Sequence, residues 1–177
     1  MSSSMNNILA MPQTEKARRI VMAKGIFDVF LSLSLIFFPS LLYDGPVPAT
    51  ISQVTGLPKP SWEADPGAAY GLASLIMGAA FCGITAGQSW SPDAHKALAT
   101  LNGVFALTGL IGCILSPQKF GSSFLLLASA QDVFWFSAIV KAGGYGVLDT
   151  LGLAGKRAGS APASRVVAGD HSMKGGM

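Results

Sequence analysis

Residues 20–38 (IVMAKGIFDVFLSLSLIFF) form an apolar run broken by only two charges, Lys24 and Asp28. As an α-helix rising about 1.5 Å per residue, such a run covers the roughly 30 Å hydrocarbon core of a bilayer. Arg18 and Arg19 precede it and Pro39, a helix stop, follows it. Three more runs repeat the theme. Residues 67–87 (GAAYGLASLIMGAAFCGITAG) carry no charge, and residues 97–115 (ALATLNGVFALTGLIGCIL) and 122–140 (SSFLLLASAQDVFWFSAIV) carry one between them, Asp132. The expected fold class is therefore all-α, a four-span transmembrane helical bundle.

Composition agrees. Charged residues make up 12% of the chain, about half of what soluble domains carry, and hydrophobic residues make up 50%. The 21 glycines suit membrane spans, and the mean hydropathy is +0.49. The 177 residues divide into a disordered segment at 1–17, a membrane domain at 18–141, and a disordered basic tail at 142–177. Residues 1–15 are polar, so the first apolar run reads as a retained span and not as a cleaved signal.

The joints between spans differ in length. Residues 44–66 hold five prolines and two glycines and form a loop too broken for a long helix. Residues 88–96 and 116–121 are short turns, which makes the second, third and fourth spans successive antiparallel neighbours. Tyr43, Trp62 and Trp90 stand at span ends, where aromatic side chains anchor at the headgroup level. On a four-span layout, ten of the 12 lysines and arginines fall on the side of the two termini, and only Lys59 and Lys119 fall opposite. The positive-inside rule then places both termini in the cytoplasm.

Few residues can carry chemistry. Asp28 and Asp132 lie inside apolar spans, where a carboxylate costs on the order of 3 kcal/mol and turns to the bundle interior or a wet cavity. They are the candidate catalytic, acid/base residues. The alternative is a structural pair of carboxyls hydrogen-bonded to Gln131, Asn102 or a serine. Lys24 lies one turn from Asp28 on the same helix face and can pair with it. Asn102, Gln131, Phe134 and Trp135 are the candidate substrate-binding residues: two amides that bond across helices, and two aromatics beside Asp132 that suit a flat or isoprenoid-like hydrophobe.

Ala79, Gly83 and Gly87 recur every fourth residue, a groove for close helix approach. Its partner is either another span of this chain or, through Gly83 and Gly87, a second copy or another membrane protein. Cys82 and Cys113 are expected about 20 Å apart in depth, beyond disulfide reach. His95 is expected in a turn and His171 in the tail. With two cysteines and two histidines, neither a metal site nor a cofactor is expected. A net charge of +3 with no basic stripe excludes nucleic acid as a partner.

The layout resembles the small four-helix membrane proteins of the DoxX-like group. The resemblance lies in a first span ending in proline (GIFDVFLSLSLIFFP, 25–39) and a small-residue second span (YGLASLIMGAAFCGITAG, 70–87), and it covers roughly residues 20–141. It implies a four-helix bundle and no particular activity. The expected function is that of a multi-pass integral membrane protein in the lipid bilayer, an accessory or carrier-like protein for a small hydrophobic molecule. The alternative is a small membrane enzyme acting on a lipophilic substrate, isoprenoid or polyketide-like, with Asp28 and Asp132 as acid and base.

Overall fold

The computed structural model describes residues 2–153, with side chains from Gln13 onward. Among these residues seven helices follow one another: α1 (Ser2–Phe37), α2 (Pro39–Tyr43), α3 (Pro46–Thr55), α4 (Pro66–Gln88), α5 (Pro92–Leu115), α6 (Ser123–Gly143) and α7 (Val147–Thr150). No strand occurs among the described residues. Four of the helices, counting α1 from Gln13, are long and apolar enough to cross a membrane: Gln13–Phe37, α4, α5 and α6.

Local chemistry sets the ends of these helices. Pro39, Pro46, Pro66 and Pro92 each open a helix, where a missing N–H is harmless. Phe38, held before Pro39, leaves helical geometry and separates α1 from α2. The Asp65 carboxylate caps α4 by accepting from the Ala68 N–H at 2.9 Å, and the Ser122 hydroxyl caps α6 by accepting from Leu125 at 3.0 Å. Gly144 closes α6 in the left-handed region, at φ 64°.

The bundle is two helical hairpins joined along one seam. α1 packs on α4, α5 packs on α6, and α1 and α6 lie against each other between the hairpins. A Cβ at Gly25 would sit 2.7 Å from the Ile84 nitrogen, one at Gly83 would sit 3.1 Å from the Gly25 Cα, and one at Gly87 would sit 2.8 Å from the Met22 Cα. These glycines let the α1 and α4 backbones touch. Gly83 and Gly87 are thus buried against the chain's own first helix. The face that the sequence offers to a second copy or another protein is already occupied within the chain. The same packing corrects the expected neighbourhood of the second and third spans. Their connection is short, but α4 touches α5 only lightly because its small-residue face is turned to α1.

Two further expectations change. α1 begins well before residue 20, taking in residues that the sequence places outside the first span. The start of the expected tail is folded: α6 runs to Gly143, and α7 rests on α5 with Thr150 buried. The rest of the tail, with His171 and four basic residues from Lys156 to Lys174, lies outside the described residues. The apolar core forms two layers. One, near the Phe37 end of α1, gathers Leu35, Tyr43, Ala69 and Ala73. The other, toward the Gln13 end, gathers Val21, Leu98, Ala99, Ile139 and Val140.

Candidate functional site

Between those two apolar layers lies a cluster of three charges. Lys24 and Asp28 occupy successive turns of α1, so their side chains share a face. The Lys24 ammonium donates to Asp28 Oδ1 at 2.6 Å. It also reaches across the seam to Asp132 Oδ1 on α6 at 3.3 Å. Asp132 Oδ1 accepts a second hydrogen bond, from the Gln131 amide, at 2.9 Å. The Lys24 and Asp28 side chains are almost wholly buried, and that of Asp132 is 18% exposed. The Oδ2 atoms of both aspartates accept no hydrogen bond among the described residues. Each aspartate is nine residues from the Phe37 end of its span, or about 14 Å at the helical rise, so the cluster lies roughly halfway along the bundle.

The arrangement is electrostatically unbalanced. One cation faces two carboxylates in a setting where a charge without a partner costs several kcal/mol. One ion pair would suffice to pin α1 to α6, and the second acid is one carboxyl more than that pairing needs. Aromatic rings flank the cluster. Phe27 and Trp135 meet across the same seam with ring centroids 5.7 Å apart, and Lys24 lies 6.0 Å from the Phe27 ring. Phe134 packs edge-on against Trp135 but is itself largely exposed.

The structure thus brings Asp28, Asp132, Gln131 and Trp135 together, with Phe134 on the rim. Asn102 does not join them. It is buried on α5 and donates to its own helix, to the Leu98 carbonyl at 2.8 Å. Cys82 and Cys113 are both free thiols. The residue that sequence reasoning placed in only half its role is Lys24. Its spacing to Asp28 marks the first contact, but nothing in the chain marks α6 as the second partner.

His95 departs from its expected place. It lies not in a turn but in the first turns of α5, fully buried. One ring nitrogen is 3.2 Å from the Tyr145 hydroxyl and the other 3.0 Å from the Ser89 carbonyl. Lys96 pairs with Asp149 at 2.6 Å, and Thr100 bonds to the Thr150 carbonyl. These contacts latch the chain after α6 onto the start of α5. Burial, with Asp93 nearby, pushes the Tyr145 phenol above its ordinary value and keeps it a neutral partner for the imidazole. His95, Tyr145, Lys96, Asp149, Thr100 and Thr150 are bonded within the fold, which marks a structural joint. No group of His, Cys, Asp and Glu among the described residues is arranged to hold a metal ion. No family model, curated protein or solved structure matches the chain, so the charge cluster at the α1–α6 seam is what any functional argument has to work from.

Proposed function

We propose that the chain is a multi-pass membrane protein that holds a small hydrophobic molecule at the α1–α6 seam, in a carrier or accessory role. Both termini lie on the cytoplasmic side in this reading. The supporting observation for the site is the Lys24 ammonium set between carboxylates of two different helices, halfway along apolar spans. Such a cluster offers polar anchorage where lipid offers none, beside aromatic rings that suit an apolar body. The ten-to-two division of basic residues supports the orientation, and the span pattern supports a place beside the DoxX-like group.

The test is mass spectrometry of the protein purified from its own cells in mild detergent. A hydrophobic molecule should accompany the wild-type chain at about one per chain and fall at least tenfold in D132N. Equal extracts from both proteins would sink the carrier reading. A second reading, acid/base catalysis on a lipophilic substrate, draws support from the two carboxylates meeting at one amine. It differs in outcome: the bound molecule would leave chemically changed, and the product would vanish in D28N and D132N alike.

A further inference from the structure

The charge imbalance at the seam says more about the ligand than its hydrophobicity alone. Resting on the reading of the seam as a binding site for a hydrophobic molecule, we infer that this molecule is a lipophilic monocation. It carries an amine whose charge completes the Lys24–Asp28–Asp132 cluster, and it enters sideways from the lipid. Three observations carry this, each independent of the others.

The first is stoichiometry. One ammonium serves two carboxylates and meets each through a single oxygen, Oδ1. A protonated amine brings one positive charge and three donors to a pair of acids that share one cation. The second is closure. Val21, Ile139 and Val140 close the bundle toward the Gln13 end, and Leu35, Tyr43 and Ala73 close it toward the Phe37 end. Both layers are apolar; of the buried hydroxyls between the cluster and the Phe37 end, Ser32 is tied to the Ala73 carbonyl and Ser129 lies one turn from Asp132, and the open surface of the cluster is at Asp132, on its lateral side. The third is the lateral face itself. Of the three charged side chains, Asp132 is the one with open surface, at 18%. Beside it stand Phe27, 40% exposed, and Trp135, whose ring faces attract a cation. A cationic head at Asp132 with its chain lying along Phe27 and Phe134 fits that surface.

The experiment uses the full chain in lipid nanodiscs, with Trp62→Phe and Trp90→Phe so that Trp135 is the single fluorescent tryptophan. Two probes are compared: a twelve-carbon primary amine brominated near its head, and the alcohol of identical chain and bromine position. The amine is cationic at neutral pH and the alcohol is not. Expected is saturable quenching of Trp135 by the amine, with the alcohol giving only the linear quenching of bulk partition. D132N leaves a balanced Lys24–Asp28 pair, so it should keep its fold while losing about tenfold or more in apparent amine affinity. D28N balances the site from the other helix and should lose affinity in the same way. Saturable quenching by both probes, unchanged in D132N, would overturn the inference while leaving the hydrophobe-binding reading intact. Saturation by neither probe also overturns the inference, since no cationic head is then recognised at Asp132, and the hydrophobe-binding reading stands or falls on the extraction test alone.

Discussion

If Lys24 were replaced by methionine, two carboxyl groups would face each other across the α1–α6 seam with no cation between them. Each would have to hold a proton or stay charged in an apolar setting. Removing one side of a buried ion pair costs on the order of 3–5 kcal/mol. D28N or D132N does something different, for each leaves a single lysine against a single acid. The expected order of stability in detergent unfolding is therefore wild type near D132N and D28N, with K24M lower by about 3 kcal/mol or more. A K24M protein as stable as D132N would mean that the three groups do not act as ions. The sequence exposes half of this network. The four-residue spacing of Lys24 and Asp28 is helix geometry and can be read directly. The link to Asp132 is tertiary, because it depends on which face of α6 lies against α1, and an apolar span with low amphipathicity does not advertise its face. Asn102 misleads for a related reason: a buried amide in a helix can bond to its own turn, as this one does with Leu98.

At the scale of the helix, the α1–α4 contact rests on absent side chains. A Cβ at Gly25 would fall 2.7 Å from one α4 backbone atom and 2.9 Å from another, and backbone cannot swing aside as a side chain can. Gly78, on the same α4 helix, has open space around it. The same substitution should therefore act in opposite directions. Gly25→Ala forces the helices apart and is expected to cost about 1–3 kcal/mol, the range of overpacked cores. Gly78→Ala adds helix propensity without a clash and is expected to be neutral or stabilising by up to about 1 kcal/mol. Unfolding both variants in SDS against the wild type checks this, and a G25A protein no weaker than G78A would place α4 elsewhere. The glycine spacing on the second span shows that some helix comes close. Its identity follows from complementarity, since α1 alone places a glycine, Gly25, opposite Gly83. Helix ends were the more legible part. Prolines at 39, 66 and 92 and the caps Asp65 and Ser122 act within a few residues, so α4, α5 and α6 start within about five residues of the apolar runs that predict them.

For the whole molecule, the basic residues and the latch at one end bear on the same question, which is how the bundle sits in a membrane. Gln13 lies beside Gly144, so the start of the first span and the end of the fourth share one end of the bundle. Arg18 stacks on Trp90 there, with the cation 4.1 Å from the ring centroid, and Lys96 pairs with Asp149. These cations are held at this end by contacts within the fold, whereas Lys59 and Lys119 mark the other end. The orientation can be read with a thiol reagent that does not cross membranes. In a chain with Cys82 and Cys113 changed to alanine, Gln118→Cys lies in the turn between α5 and α6 and Asp93→Cys lies at the start of α5. In intact cells Gln118→Cys should label and Asp93→Cys should label only after the membrane is opened. The reverse pattern would invert the bundle, and the Lys24–Asp28–Asp132 cluster would survive that inversion because it lies near mid-depth. Labelling of both sites in intact cells would mean that α5 does not cross. The apolar layers on either side of the cluster would then no longer seal it, and sideways entry from lipid would lose its physical basis.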